Sequence, residues 1–523
     1  MSAESSPAAR RSIRHSVRHP VAIGLLGGLL VYTGLVLLWM VTQPLFLTGD
    51  ESSHVDYAYQ VTHGRIPVAG GPMAHEFPEL GQRGDYQYTS NHPPAYHALV
   101  GPLVRVAAAS DHPRIFLMLA RVLTACIGGA VVLTLVATAA TVFRRPRERA
   151  LAMIGTAGLS GSLAAMVGSS SSIRNDALAV LLTCLTLLVL ARAARGGQRP
   201  ATVALVAGLC ALGMLTRISF LPVWLLAVAA VAVLELWPLL RPRRPTAAVL
   251  RRAVLSAVVV LLAPLLGAGW FYVLSLHRYG DLTGGSAAYP IVADRAYLPG
   301  AQQGPLAFML RPSTWWDQIE QLGGGIVPLA GHTAAIYPVV GVAAVAVLLF
   351  GVVAAARRRG SLRDLLDVPA RWILVCLALV AAAAYVEMAW HVSQKGGDSQ
   401  RYLLNGIGFW AIGGTAVFLA GPARLFAYLV TSLTALLSVG SVAAAVAELR
   451  RRRLPADGGW FHTLVHGVEL GGFTAGKALV TGFILVVVVG LVLQLVALHR
   501  LSSTPAPSGV GTMPTPRAAE RPA

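Results

Sequence analysis

The sequence predicts an all-α, polytopic membrane protein with about twelve transmembrane helices and with interfacial helices in its outer loops. Hydrophobic residues make up 55% of the 523-residue chain and charged residues only 12%, and the mean hydropathy is +0.64. A soluble domain carries roughly twice this share of charged residues, and a disordered chain has low hydrophobicity. Both classes are therefore excluded. Apolar runs long enough for a span, roughly 20 residues, recur along the chain.

The formal net charge of +19 at pH 7 raises the question of a nucleic-acid partner. The basic residues, however, lie in short clusters between apolar runs, as at 144–149 and 357–359. Cytoplasmic loops of membrane proteins are marked in this way. The placement of the basic residues therefore indicates how the chain crosses the membrane. We expect the protein to contact the membrane and not a nucleic acid.

One apolar run, 94–109, is short and contains Arg105. If it were a span, the cluster at 144–149 would lie outside and the later loops would be inverted. If it is an interfacial helix, both termini and most arginine clusters lie inside, as the positive-inside rule requires; only the cluster at 450–453 lies outside. The predicted spans are then about 21–42, 115–142, 150–170, 175–194, 200–215, 218–240, 253–276, 335–356, 371–392, 403–420, 424–447 and 476–498.

This topology divides the chain into five parts. They are a basic cytoplasmic N-terminus (1–20), a transmembrane core (21–276) that includes an outer loop (43–114), a second outer loop with an interfacial helix near Trp315 (277–334), C-terminal transmembrane helices (335–500) and a disordered tail (501–523). The tail is rich in Pro, Ser, Thr and Ala, which is typical of disorder.

Polar motifs cluster at the predicted outer ends of several spans. Asp50 and Glu51 come directly after the first span, where adjacent carboxylates are costly unless they are solvated or paired. A solvated loop start explains an isolated acidic pair, but basic residues follow at nearly the same depth: His92, Arg174, Arg217 and Arg401. Singly, such residues are usually anchors that reach the interface. Together they favour a phosphate site beside a base, because the arginine fork holds phosphate oxygens bidentately.

The order of these motifs resembles that of the GT-C superfamily of polyprenyl-phosphate-sugar glycosyltransferases. An apolar span is followed by Asp50-Glu51, an interfacial helix, a Pro-Pro helix start at 93–94 and the motif Arg174-x-Asp176. The protein-mannosyltransferase and aminoarabinose-transferase group is most similar. Asp-Glu-x-x-His at 50–54, Asn-Asp-Ala at 175–177 and Gln-Arg-Tyr-Leu at 400–403 also resemble a related family of bacterial membrane proteins in that superfamily. The resemblance in architecture covers roughly residues 21–420.

This resemblance implies roles for individual residues. Asp50 matches the general base, with Glu51 as its catalytic neighbour, and His92 stands where relatives carry a lysine that meets the lipid phosphate. The expected substrate-binding residues are His54, His92, Arg174, Asp176, Arg217, Lys395, Arg401 and Tyr402. Nothing in the sequence matches a full metal-site signature, so metal ligands stay unassigned and a divalent cation stays open as a cofactor.

The expected function is transfer of a sugar from a polyprenyl-phosphate carrier to an envelope glycan, lipid or protein, outside a bacterial plasma membrane. Such a reaction needs a base for the acceptor hydroxyl and cations for the departing phosphate. The alternatives are a transporter or flippase of a lipid-linked glycan and a non-catalytic envelope assembly protein. Glu387, an acid late in the ninth predicted span, is a further functional candidate, or it pairs with Lys395 or Arg401.

Overall fold

The structure, a computed structural model, describes residues 7–47, 49–82, 86–236, 247–293, 304–311, 366–393, 400–451 and 458–503. These residues form helices joined by turns and loops, and none of them is in a strand. Within them, eight helices are long and apolar enough to cross a membrane, or nine if one bent helix pair counts as a single span. The predicted fold class, an all-α multi-pass membrane protein, is confirmed.

Seventeen α-helices are numbered here in chain order through the described residues. They are α1 (Pro7–Thr42), α2 (Gly49–Thr62), α3 (Ala95–Ala108), α4 (Pro113–Val142), α5 (Pro146–Ser162), α6 (Ala164–Ser170), α7 (Asp176–Gly196), α8 (Pro200–Met214), α9 (Leu221–Leu236), α10 (Ala247–Tyr279), α11 (Gly285–Ala293), α12 (Pro305–Leu310), α13 (Val368–Ser393), α14 (Gly414–Leu419), α15 (Ala423–Arg451), α16 (Trp460–Leu470) and α17 (Gly476–Ser503). Short 3₁₀ turns lie at Pro78–Leu80, Ile218–Phe220 and Gln400–Gly406, and a π-helical turn at Phe409–Gly413.

Eight of the twelve predicted spans coincide with these long apolar helices. The predicted span 150–170 is the bent pair α5–α6, and the span 200–215 is α8, which has only 15 residues. The span 403–420 is divided among a 3₁₀ turn, a π-helical turn and α14. The span 335–356, the helix expected near Trp315 and the tail from residue 504 lie outside the described residues. The count of twelve and the five-part division therefore stay predictions.

The break between α5 and α6 bends the chain by 65°. Leu163 is extended there, with φ −64° and ψ 120°, so the helical hydrogen bonds are interrupted. Within a membrane such a break requires new partners for the freed carbonyls. The Ser441 hydroxyl supplies one by donating to the Ser162 carbonyl at 2.7 Å. The loop that carries Arg174 begins directly after α6.

Helices α1 and α17, the first and last of the described helices, pack directly against each other through glycines. A Cβ atom added at Gly27 would lie 2.6 Å from the Gly490 carbonyl oxygen, and one added at Gly490 would lie 2.6 Å from the Gly27 carbonyl oxygen. Small residues allow this approach, which is the common basis of helix association in membranes.

Basic residues that the topology assigns to the inner side lie together at one end of the bundle. Arg195 donates to the Thr141 carbonyl at 2.9 Å and pairs with Asp367, and Arg144 lies 3.4 Å from the same carboxylate. Near the other ends of α7 and α8, the Asn175 amide donates to the Thr216 carbonyl at 3.1 Å. The ends of α4 and α7 therefore lie beside the segment before α13 at one end of the bundle, and the start of α7 lies beside the end of α8 at the other.

The run 94–109 forms α3, which is not among the helices that could cross a membrane. One face, with Tyr96, Val100 and Val104, is buried, whereas Leu99 and Val106 on the opposite face are exposed. This amphipathic pattern is typical of an interfacial helix.

The proposed sidedness can be tested by cysteine labelling. Glu79 and Arg199 are both exposed, and the topology places Glu79 outside and Arg199 inside. We expect an impermeant maleimide to label Glu79→Cys in intact cells, and Arg199→Cys only after permeabilisation.

Because the native Cys126 is exposed on α4, both variants require a Cys126→Ser background, which serves as the unlabelled control. Labelling of Arg199→Cys in intact cells would invert the topology.

Candidate active site

The first turn of α2 contains both Asp50 and Glu51, but the fold gives them different surroundings. Glu51 is completely buried. Arg121 donates to its two oxygens at 2.8 and 2.6 Å, and the backbone N–H groups of Phe46 and Ile173 each donate at 3.0 Å. Burial raises the pKa of the Glu51 carboxyl, but Arg121 and the two N–H groups lower it further, so the net shift is downward.

The Arg121 side chain also binds the end of α1. It donates to the carbonyls of Met40, Gln43 and Pro44 at 3.1, 2.7 and 3.1 Å. One buried ion pair therefore joins α1, α2 and α4, and through Ile173 it reaches the loop before α7. These surroundings suit a residue that positions its neighbours, and the catalytic role expected for Glu51 stays a prediction.

Asp50 lies beside this pair and is about one quarter exposed, at 26%. Its Oδ2 accepts from Arg401, and its Oδ1 accepts from the Tyr88 hydroxyl at 3.1 Å. Burial raises the pKa of the Asp50 carboxyl, but the charges of Arg401 and Arg174 oppose it and hold the pKa well below its ordinary value. Asp50 is therefore a carboxylate, with an arginine as its direct partner.

Two of the predicted arginines meet on the ring of Tyr402. The guanidinium carbons of Arg217 and Arg401 lie 5.2 and 5.3 Å from the ring centroid, within the range of cation–π attraction. Arg217 also forms an ion pair with the buried Asp176 at the start of α7. The aromatic ring thus holds two like charges close together.

Arg174 is the third arginine of this cluster. It is close enough to Asp50 to lower the pKa of that carboxyl. It forms no ion pair with a carboxylate in the described part of the chain, and its buried Nε has no hydrogen-bond partner there. Arg217 and Arg401 thus each pair with a carboxylate, whereas Arg174 has no carboxylate partner among the described residues, and its charge suits a bound anion.

Arg401 lies in a 3₁₀ turn that interrupts the helical structure, and hydrogen bonds of an amide side chain fix this turn to its neighbours. The 3₁₀ turn Gln400–Gly406 carries Arg401 and Tyr402. Asn405 within it donates to the Ser219 carbonyl at 3.1 Å and accepts from the Thr183 hydroxyl at 3.2 Å. The turn is thereby fixed to α7 and to the start of α9.

A group of three histidines lies beside the arginines. His54 Nδ1 and His97 Nε2 are 2.9 Å apart, and the rings of His54 and His92 stack with centroids 5.8 Å apart. Burial lowers the pKa of His97 to about 3. Burial and neighbouring positive charge hold the pKa values of His54 and His92 well below the ordinary value. His92 is therefore neutral and does not replace the charge of a lysine at its position.

The loop after α2 places Tyr88 against Asp50. Asp56 is buried and accepts from the Ala74 N–H and the Gln87 amide, at 2.7 and 2.8 Å. The Tyr88 N–H donates to the Ser53 hydroxyl at 3.2 Å. The loop is therefore folded back over α2 and does not extend freely into solvent.

The structure brings Asp50, Glu51, His54, His92, Arg174, Asp176, Arg217, Arg401 and Tyr402 into one region. Lys395 lies outside the described residues. Sequence reasoning missed Tyr88, His97, Arg121 and Asn405 as contributors. A charge inside an apolar run is a signal for function, and it could have identified Arg121.

A cavity of about 730 Å³ adjoins the arginine cluster. His92, Arg217 and Tyr402 line it, together with Asp281 and Glu387. Its volume is within the range of small-molecule sites.

The described residues contain no group of three or more His, Cys, Asp or Glu side chains placed to hold a metal ion. Asp50, Glu51 and Asp176 each pair with an arginine. This part of the chain therefore presents no ligand set for the divalent cation that the sequence analysis left open.

No protein-family model and no curated protein matches the chain, but solved structures resemble it. ArnT from Cupriavidus metallidurans bound to undecaprenyl phosphate matches with a TM-score of 0.44 and 15% identity, over 91% of this chain and 76% of its own. Its apo form has a TM-score of 0.43 and 14% identity, with the same coverage. The Archaeoglobus fulgidus oligosaccharyltransferase has a TM-score of 0.36 and 12% identity, over 90% of this chain and 56% of its own.

The buried pair of Glu51 and Arg121 predicts a large effect on stability. Glu51→Gln keeps the shape of the side chain but leaves the Arg121 charge buried without its counter-ion. Breaking such a pair costs about 3–5 kcal/mol, so we expect a much lower midpoint of thermal unfolding for the purified protein in detergent.

The exposed carboxylate Glu79 provides the matched control, because Glu79→Gln removes one charge without changing a buried contact. Equal unfolding midpoints for Glu51→Gln and Glu79→Gln would contradict the positioning role.

Proposed function

We propose that this protein is a membrane glycosyltransferase. In this proposal it transfers a sugar from a polyprenyl-phosphate carrier to a glycan, lipid or protein of the cell envelope, at the outer face of a bacterial plasma membrane. The observation that carries the proposal is the partly exposed carboxylate of Asp50, which contacts an arginine cluster in which Arg174 has no carboxylate partner among the described residues. A base beside an anion site is what glycosyl transfer from a phosphate requires.

Arg174, Arg217 and Arg401 would hold the phosphate of the donor. Their planar forks bind phosphate oxygens bidentately and stay charged when partly buried. His92, which is neutral, would donate a single hydrogen bond. The isoprenoid tail would lie along the apolar outer surface of the bundle, where each buried CH₂ group contributes about 0.8 kcal/mol.

The reaction would proceed by direct displacement. The acceptor oxygen attacks the anomeric carbon, the bond from that carbon to the phosphate oxygen breaks, and the electron pair leaves with the polyprenyl phosphate. Asp50 takes the proton of the acceptor hydroxyl, and the arginines stabilise the charge that develops on the phosphate. A single carboxylate base suits inversion at the anomeric carbon.

Phosphate binding would also activate Asp50. In the structure its two oxygens accept hydrogen bonds from Arg401 and Tyr88, and a carboxylate held in this way is a weak base. A phosphate that binds Arg401 competes with Asp50 for the same guanidinium. The carboxylate then regains base strength, because the charge that lowers its pKa is shared with the phosphate.

The remaining residues would act through these groups. Glu51 positions Asp50, Asp176 orients Arg217, and Tyr402 holds Arg217 and Arg401 together. The outer location follows from the predicted topology. Because nucleotide sugars stay in the cytoplasm, an enzyme that acts outside needs a lipid-linked donor.

Asp50→Asn tests the enzymatic role. The substitution keeps the shape of the side chain but removes the proton acceptor, so we expect transfer of labelled sugar from an undecaprenyl-phosphate donor to fall by about 10² to 10⁴. Because an uncharged amide no longer competes with phosphate for the Arg401 guanidinium, we also expect undecaprenyl phosphate to bind the variant more tightly than the wild type.

Asp111→Asn is the control, since Asp111 is exposed and lies on the same predicted side. If folded Asp50→Asn protein transfers sugar at the wild-type rate, the enzyme assignment fails, and a flippase or an assembly protein becomes the better interpretation.

Arg401→Lys tests the phosphate site separately. The lysine keeps a positive charge but loses the fork that reaches two oxygens, so we expect the affinity for undecaprenyl phosphate to fall by about tenfold or more. Arg424→Lys is the control, because Arg424 is exposed at the start of α15. If both variants bind equally well, Arg401 is only an interfacial anchor.

A further inference from the structure

The cavity beside the arginine cluster is larger than a phosphate group and is lined by residues beyond those that would bind a phosphate. Its walls come from the loop before α11, the start of α9 and the last turns of α13. His92, Arg217 and Tyr402 line it and belong to the proposed phosphate site. A volume of about 730 Å³ leaves room for a further group attached to the phosphate.

Two carboxylates line the cavity, and their surroundings differ. The Asp281 carboxylate already has hydrogen-bond partners within the protein. It accepts hydrogen bonds from the N–H groups of Thr283 and Ser286 at 2.8 and 3.0 Å, and also from the hydroxyls of these two residues. These bonds hold the turn before α11 and lower the pKa of the Asp281 carboxyl to about 2. This side chain has a structural task already.

Glu387 has no such partners. Its Oε2 is buried and accepts no hydrogen bond from the described residues, and no described cation lies within ion-pair distance of it. The Arg217 guanidinium, which faces the same cavity, attracts Glu387 electrostatically, but its ion pair is with Asp176. Since buried polar atoms are rarely left without a partner, the Glu387 oxygen is suited to a donor supplied by a ligand.

The neighbours of Glu387 indicate the kind of ligand. Trp390 lies three residues later on α13 and lines the same cavity, so both side chains are on one face of the helix. A carboxylate repels an anion, and an isoprenoid tail has no hydrogen-bond donor to offer it. A sugar ring suits the pair, because its hydroxyls donate to the carboxylate while its apolar face packs on the indole.

We propose that Glu387 binds hydroxyl groups of the sugar carried by polyprenyl phosphate and thereby determines which sugar is accepted. The inference rests on the proposed function. The sugar is joined to the phosphate through one oxygen, so it must lie next to the phosphate site, and the cavity shares Arg217 and Tyr402 with that site. Glu387 is accordingly a specificity-determining residue, separate from the base Asp50.

The test compares the binding of two kinds of lipid to the purified full chain. One is undecaprenyl phosphate, and the other is a set of undecaprenyl phosphates bearing single hexoses or pentoses. For the wild type we expect at least one sugar to bind more tightly than undecaprenyl phosphate. Glu387→Gln should lower the affinity for that sugar-bearing lipid by about ten- to hundredfold and leave the affinity for undecaprenyl phosphate unchanged. Arg401→Lys should lower both affinities.

Glu469→Gln, which changes an exposed carboxylate on α16, is the matched control, and its affinities should equal those of the wild type. The thermal unfolding midpoint of Glu387→Gln should also match that of the wild type. A Glu387→Gln variant that binds every lipid as the wild type does would overturn the inference, as would one that loses both lipids equally or unfolds early.

A set in which no sugar-bearing lipid binds more tightly than undecaprenyl phosphate would also overturn it. Failure of the proposed function is a different result: the wild type would then not bind undecaprenyl phosphate, or Asp50→Asn would transfer sugar normally.

Discussion

The arrangement of the site depends on the buried ion pair between Glu51 and Arg121. Charges are expensive away from water, and a buried pair is tolerated only when hydrogen bonds satisfy the remaining donors and acceptors. Here the arginine donates hydrogen bonds to three carbonyls at the end of α1 as well as to the carboxylate, and two backbone N–H groups also donate hydrogen bonds to the carboxylate. This pair fixes the first turn of α2 against α4 and the loop before α7. Asp50 is the next residue in the chain, and its position follows.

Around Asp50 the electrostatics are dominated by arginine. An arginine side chain keeps its charge in proteins, whereas burial and the nearby arginines lower the pKa values of His54 and His92. Only a permanent cation could remain charged at such a site, since histidine loses its proton when it is buried beside positive groups. The same field lowers the pKa of Asp50. A bound anion would therefore change the base and its surroundings together, which links donor binding to catalysis in the proposed function.

Two arginines of the site lie at interruptions of the helices, Arg217 directly before the turn Ile218–Phe220 and Arg401 within the turn Gln400–Gly406. The break between α5 and α6, the turn Ile218–Phe220 and the turn Gln400–Gly406 each expose backbone groups that a continuous helix would satisfy. A membrane protein tolerates such backbone only where protein groups or a cavity replace the lost partners. Asn405 and Ser441 supply partners here. The hydropathy pattern alone shows these segments as ends or continuations of apolar runs, so the breaks within 150–170 and 403–420 were not predicted.

The sequence by itself determined the helical fold class, most of the described spans and the segments that carry the candidate site. These properties are local, because a span needs its own apolar run and a cytoplasmic loop its own arginines. Only the tertiary structure decided that the adjacent acids differ, with Glu51 buried on Arg121 and Asp50 facing Arg401. The same holds for Glu387, which the cavity sets apart from Asp281. The physical reason is that the environment of a carboxylate is set by helices far apart in sequence, so the residue type and its immediate neighbours do not determine it.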